Sequence, residues 1–270
     1  MTSPIRSAKE VSVQLQVSEK TETTSKSFGK NILIGIFSGV SVVPFVQPMI
    51  FFKNRMQSAA PQEMKVVFSI KKPQVLYRGG KSFASSFAPV IAIQTAVNGV
   101  LAKKWDPIAA AATSGAISAI AVCPFEGIMI QQQKTGQNFW TTVKNMQSSY
   151  GVCSFYRAFL STSIREGSFS AAYLGVAPKL TKKLQSEGYN YWVSQYVAGI
   201  LAGTVAAVVS QPFDTHKTQQ QQGLAERHSL VNLFSKGNAM LGLRWRIAMI
   251  STATIVMSIM QETITEKLNC

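Results

Sequence analysis

Pro48, Pro124 and Pro212 each follow a long uncharged stretch and open the same ten-residue pattern: PMIFFKNRMQ, PFEGIMIQQQ and PFDTHKTQQQ. A glutamine stands nine positions after each proline, at Gln57, Gln133 and Gln221. The second and third copies carry an acid two positions on, Glu126 and Asp214, and the first and third a lysine five positions on, Lys53 and Lys217. Thirteen and nine positions before the prolines stand Gly35 and Gly39, Ala111 and Gly115, and Gly199 and Gly203. Small residues four apart share one helix face and let a second backbone approach. Their recurrence at one offset from three prolines marks three related helices, so a threefold internal repeat governs the fold before any single motif does.

Four stretches carry no charge at all: Ile32–Phe52, Ser82–Ala102, Pro107–Phe125 and Gly188–Phe213. Each is close to the roughly 20 apolar residues that cross a bilayer. Ala158–Pro178 and Ile247–Gln261 are weaker candidates, interrupted by charge or short. Together they predict an all-α membrane protein of six transmembrane helices, arranged as three tandem hairpins with both termini on one side. Units fall at 28–105, 106–187 and 188–270, after a polar tail over 1–27 that lacks the apolar core of a secretory signal. A mean hydropathy of only +0.12 suits helices that present one face to lipid and another to a polar path.

After each proline helix comes a polar connection, then an aromatic–basic–small step: Tyr77-Arg78-Gly79, Tyr156-Arg157-Ala158, and a looser Phe234-Ser235-Lys236-Gly237. Short amphipathic helices are expected in the connections, at Asn138–Tyr150 and Glu226–Phe234. Asp106-Pro107 reads as an N-cap followed by proline at the first helical position. An arginine beside free helix N–H groups suits an anionic headgroup, which makes Arg78-Gly79, Arg157-Ala158 and Lys236-Gly237 candidate lipid sites.

Other chemistries find little support. Two histidines and two aspartates leave scant material for a metal centre or a hydrolytic triad, and Cys123, Cys153 and Cys270 have no metal-type spacing. Neither an enzyme nor a bound cofactor is expected. The charge of +15 would suit a nucleic-acid or membrane-surface protein, but phosphate binding does not explain uncharged spans. A carrier-fold protein that organises membrane without transporting is the remaining alternative.

Proline, acid, base and glutamine at these spacings, followed by an aromatic–basic–glycine step, resemble the mitochondrial carrier family over all but the first 27 or so residues. VAGILAGTVAAVVSQPFDT and FSAAYLGV resemble ADP/ATP carriers most. The divergence elsewhere also resembles a carrier-type effector by which an intracellular bacterium reaches host mitochondria. The resemblance implies six tilted helices with pseudo-threefold symmetry around a cavity that opens alternately to either side of the mitochondrial inner membrane. It implies a monomer, with cardiolipin at the three lipid sites.

In the family's ring, charges after the three prolines pair across helices and close the cavity. Carried over, this implies Glu126–Lys217 and Asp214–Lys53, with Gln57, Gln133 and Gln221 bridging the pairs from below. The remaining pair joins Ile50 to Met129, so both charges are lost together. Loss of one alone would strand a buried charge, at about 3–5 kcal/mol. Seven positions after each small residue, where the family meets substrate, stand Ser86, Arg165 (followed by Glu166) and Arg244, with Arg246 as the alternative to Arg244. A positive cavity attracts anions, and a nucleotide (ATP or ADP) is the first expectation. The Arg165-Glu166 pair resembles amino-acid carriers instead, which makes an amino-acid or carboxylate substrate the alternative. On the opposite side, VNGVLAKK (97–104), APKLTKK (177–183) and MQETITEK (260–267) occupy the outer gate, and only the last holds acids. Lys103, Lys104, Lys182 and Lys183 are therefore expected to lack acidic partners.

Overall fold

The computed structural model describes residues 29, 32–58, 72–224 and 229–269. The described residues are helical, with no strand among them. Nine α-helices are used below: α1 Ile32–Met56, α2 Gly80–Leu101, α3 Pro107–Thr135, α4 Phe139–Tyr150, α5 Phe159–Ser170, α6 Ala177–Ser186, α7 Tyr191–Gln222, α8 Leu230–Ser235 and α9 Leu243–Asn269. Short 3-10 turns, Pro73–Tyr77 and Val152–Tyr156, lead into α2 and α5, and a π-helical segment, Ala171–Val176, joins α5 to α6.

Local chemistry sets the ends of these elements. Asp106 caps α3 by accepting from the backbone N–H of Ile108 and Ala109 at 2.8 and 3.4 Å, with Pro107 at the first helical position. Asn138 caps α4 through Thr141, Asn190 caps α7 through Trp192, and Ser229 caps α8 through Val231. Each oxygen satisfies an N–H that the helix itself cannot. Of the two amphipathic helices expected in the connections, α4 starts at its Asn138 cap, and α8 covers the later part of the second. Residues 225–228, with Glu226, lie outside the described residues, as does the 1–27 tail.

The helices run on through Pro48, Pro124 and Pro212, although each proline removes one ladder hydrogen bond. Among the described residues four elements are long and apolar enough to cross a membrane: Ile32–Met56, Pro73–Leu101, Pro107–Thr135 and Tyr191–Gln222. They contain most of each of the four uncharged stretches.

The small-residue faces make the tightest helix contacts. A methyl group added at Gly39 would lie 2.6 Å from the Phe87 ring, and one at Gly35 would lie 3.2 Å from Ile91, which locks α1 onto α2. Gly115 meets Ser170 and the Glu166 carbonyl, locking α3 onto α5. Gly203 meets Ile250 and Gly199 meets Thr254, locking α7 onto α9. Further contacts join α2 to α3 and α5 to α7. Phe52 stacks on Trp245 at 4.7 Å, bringing α9 back against α1.

Polarity is distributed the opposite way from a water-soluble protein. Ser38, Gln47, Ser114, Ser118, Ser194, Ser210, Gln211 and Asp214 are fully buried, whereas Phe37, Phe45, Leu160, Val205 and Val209 stand exposed on the outside. Such an arrangement is stable only when the exterior meets hydrocarbon.

Candidate functional site

The three proline helices converge at their C-terminal ends, where the charges gather. Lys53 Nζ donates to Asp214 Oδ2 at 2.8 Å, and Lys217 Nζ donates to Glu126 Oε2 at 2.9 Å. None of the four residues is more than 5% exposed. At the third junction Ile50 and Met129 lie in one buried cluster with Val42, Val46 and Ile130. One turn further on, Asn54 Nδ2 donates to Gln133 Oε1 at 2.7 Å across that junction.

The glutamines do not act alike. Gln57 braces a charged pair: its amide donates to Asp214 Oδ2 at 2.9 Å and its carbonyl accepts from Thr218 at 2.9 Å. Gln133 has no charged pair to meet, because its junction is apolar, and it bonds Asn54 and the Arg78 carbonyl. Gln221 turns to Cys123 Sγ and the Arg157 carbonyl, since Glu126 Oε2 already accepts from Lys217 and Arg165. Of the three glutamines expected to bridge charged pairs, Gln57 is the one whose side chain bonds a carboxylate in this structure.

A second threefold pattern, absent from the sequence reading, starts one residue before each proline. Gln47 donates to the Arg78 carbonyl at 2.8 Å, Cys123 to the Arg157 carbonyl at 3.5 Å, and Gln211 to the Leu241 carbonyl at 2.6 Å. The residue after each accepting carbonyl has a left-handed backbone: Gly79 at φ 79°, Ala158 at φ 63° and Gly242 at φ 78°. Helices α2, α5 and α9 begin immediately afterwards.

The third step is therefore Met240-Leu241-Gly242, five residues beyond Lys236-Gly237. Gly237 also has positive φ, but it ends α8 rather than starting α9. The signal was present in the spacing: Gly79, Ala158 and Gly242 lie 31, 34 and 30 positions after their prolines, whereas Gly237 lies 25 after Pro212. The aromatic–basic decoration misled because this turn requires only the backbone conformation. Counted from the corrected origin, the helix contacts fall into register. Phe87, Glu166 and Ile250 are each eight positions on, and Ile91, Ser170 and Thr254 each twelve.

The correction also moves the expected substrate positions. Seven residues after the three turns stand Ser86, Arg165 and Met249. Arg244 falls two positions after Gly242, level with exposed Lys81 and Leu160, and is itself exposed. Arg246 is buried, donating to Gln211 Oε1 at 3.1 Å and Ser210 Oγ at 2.7 Å, with Asp214 3.9 Å away. Ser86 is buried and donates to the Phe83 carbonyl. Arg165 Nη2 donates to Glu126 Oε2 at 2.8 Å and also to Glu166, while Nη1 lies 3.8 Å from Asp214 Oδ1.

Lys53, Lys217, Arg165 and Arg246 thus surround Glu126, Glu166 and Asp214. Burying these ions is tolerable only because Glu126 and Asp214 each meet several donors. Four cations against three carboxylates leave one positive charge uncompensated, a field that favours an anion. Beside this cluster a cleft of about 400 Å³ is lined by Tyr150, Ser154, Arg157, Ala158, His216 and Gln220 among others. Arg157 Nε donates there to Gln220 Oε1, and Ser161 Oγ lies 2.8 Å from His216 Nδ1.

At the opposite end Lys103, Lys104, Lys182 and Lys183 are exposed, and none forms an ion pair among the described residues. One pair was missed by the sequence reading: Lys179 Nζ lies 3.6 Å from Asp106 Oδ2. The capping N–H of Ile108, with further help from Lys179, holds the Asp106 carboxyl below its ordinary range. The side chains of Glu262 and Glu266 lie outside the described residues.

Comparison with known proteins finds similarity to carriers. The mitochondrial carrier protein family model matches residues 101–188. A mitochondrial substrate carrier family protein X of Dictyostelium discoideum is 27% identical over 71% of this chain and 72% of its own length. The mitochondrial 2-oxodicarboxylate carrier 1 of Saccharomyces cerevisiae is 26% identical over 58% of this chain, a match spanning about half (51%) of that relative. The mitochondrial glycine transporter of Kluyveromyces lactis is 22% identical over 75% of this chain and 82% of its own length. The chain is thus similar to mitochondrial carriers, through the family model over residues 101–188 and through relatives that are named as carriers and transporters and not as enzymes.

Proposed function

We propose that this protein carries a small carboxylate, an amino acid or an oxo- or dicarboxylic acid, across the mitochondrial inner membrane by alternating access. In this reading α1, α2, α3, the α5–α6 helix, α7 and α9 are six spans in three hairpin units around the path. The observation that carries the substrate class is the register of the interior. Of the three equivalent positions Ser86, Arg165 and Met249, one alone is charged, and Glu166 follows it directly. An arginine suits one carboxylate through paired hydrogen bonds, and an adjacent glutamate suits an ammonium. The named carriers of 2-oxodicarboxylate and glycine among the relatives fall in the same chemical range.

The nucleotide reading rested on the excess of positive charge and on the likeness of the third unit to ADP/ATP carriers, and a polyphosphate would call for further cations in the cavity. Arg244 is exposed and Arg246 is bonded to Ser210 and Gln211, which leaves a polyphosphate poorly matched. Gate function is assigned to Lys53–Asp214, Glu126–Lys217 and the Ile50–Met129 packing. Cardiolipin is assigned to the turns at Arg78-Gly79 and Arg157-Ala158, and the protein is taken to act as a monomer. The same site would serve a cell's own mitochondria or a carrier-type effector delivered to a host's.

The test is uptake by liposomes containing the purified protein, with labelled glycine, glutamate, 2-oxoadipate, citrate and ATP. Uptake of one or more carboxylates, abolished in Arg165→Ala and kept in Arg244→Ala, is expected. Uptake of ATP alone would replace this reading with the nucleotide one. No uptake of any would favour a membrane-organising role.

A further inference from the structure

We propose that Arg165 is shared between the substrate site and the gate, so that substrate and the gate acids compete for one guanidinium. The inference rests on the carboxylate reading above. A carboxylate engages arginine best through two parallel N–H groups. On the Nε–Nη2 edge of Arg165, Nε is buried and has no partner. Nη2 is already held twice, by Glu126 on α3 and by Glu166 on its own helix. A carboxylate that takes this edge must displace one of them. Glu166 stands on the same helix as Arg165, so only the release of Glu126 alters the charged pair that joins α3 to α7. Glu126 Oε2 is also the acceptor of Lys217, and Asp214 stands 3.8 Å from Nη1. Substrate therefore acts on the gate by withdrawing a cation from it, and no change need be relayed through the helices.

Reciprocity gives the idea a sign pattern. If substrate weakens the hold of Arg165 on the gate acids, those acids weaken substrate binding by the same factor. Removing an acid frees Arg165, and removing a lysine leaves an acid that holds Arg165 harder. Without Lys217, Glu126 keeps Arg165 as its remaining ion-pair partner, and without Lys53, Asp214 loses its closest cation.

The experiment titrates the purified full-length protein with 2-oxoadipate, citrate and glycine, and reads apparent Kd from ligand-dependent thermal stabilisation. Glu126→Gln and Asp214→Asn should tighten binding about fivefold or more, the low end of coupling between linked sites. Lys53→Gln and Lys217→Gln should weaken it. All four variants damage the same gate, so a purely structural role moves all four affinities in one direction. That outcome, or binding that changes in none of them, overturns the proposal. Should one variant fail to fold, one acid and one lysine variant still carry opposite expected signs. If the wild type is stabilised by ATP and by none of the three carboxylates, the substrate class fails and this inference falls with it. Carboxylate binding with uniform shifts sinks the competition alone.

Discussion

The junctions on either side of α7 and the junction between α1 and α3 occupy equivalent places and are closed by different forces. Around α7, Lys53–Asp214 and Glu126–Lys217 meet at 2.8 and 2.9 Å, with Arg165, Arg246 and Gln57 joining in. Between α1 and α3, Ile50 packs with Met129, and one uncharged bond, Asn54 to Gln133, crosses beside them. Charges desolvate at high cost and attract specifically, whereas apolar surfaces associate cheaply and without direction. The comparison teaches that a repeated position can change its chemistry entirely, provided both partners change together.

The largest expected effect breaks the charged side. Asp214→Ala leaves Lys53 and Arg246 without their acid and should cost about 3–5 kcal/mol, read as a large fall in Tm of the purified protein. If stability barely changes, the ion cluster is not what holds the α7 junctions together.

The second test converts the apolar junction to the charged kind. Ile50→Glu or Met129→Arg alone buries an unpartnered charge and should impair stability and transport. The double variant should recover much of the loss, with a coupling of about 0.5–3 kcal/mol. Strictly additive losses would refute the pairing of these two positions.

A third comparison uses the turns that rest on each junction. A methyl group at Gly79 would lie 2.6 Å from Met129 Cγ, and one at Gly242 would lie 3.2 Å from Lys53 Cγ. Both substitutions to alanine carry the left-handed penalty of about 1–2 kcal/mol, and Gly79→Ala adds overpacking of about 1–3 kcal/mol. Gly79→Ala should therefore lower Tm further than Gly242→Ala. Conversely, Ala158 already bears that backbone strain, so Ala158→Gly should raise stability by up to about 1 kcal/mol. Equal losses at the two glycines would show that the apolar junction yields as easily as the lysine stem.

The smallest effect lies at the far end. The Asp106 carboxyl is held below its ordinary range by the N–H of Ile108, so its folded-state pKa is depressed. Its contribution is present in full above the ordinary aspartate pKa and disappears as pH falls through the lowered one. Asp106→Asn keeps a good cap and loses Lys179, so it should flatten the acid limb of a Tm–pH curve slightly and leave the buried ion cluster untouched.

Much of this site was legible from the three prolines. Their offsets led directly to Lys53, Glu126, Asp214, Lys217, Ile50 and Met129, because helix register fixes where side chains meet once the helices are equivalent. The last helix was read five residues early. There α8 closes in a turn at 236–238 that also holds a glycine of positive φ, and the interfacial residues Tyr and Arg are missing from the true step, Met240-Leu241-Gly242. Arg165 was recognised as an interior cation, but its hold on Glu126 was not, since none of the motif offsets pairs those two positions.

The hydrogen bonds that start one residue before each proline bear on how such a molecule can move. Gln47, Cys123 and Gln211 each tie a proline helix to the carbonyl that precedes its own partner helix, and the glycine contacts clamp the same two helices higher up. Each helix pair is thus fastened at two heights and behaves as a stiff wedge. Motion is left to the seams between wedges, where lysines can exchange an acid for water at little mechanical cost. The seam without charges has nothing to exchange. In the alternating-access reading proposed above it would serve as a greased bearing, and the seams flanking α7 as catches.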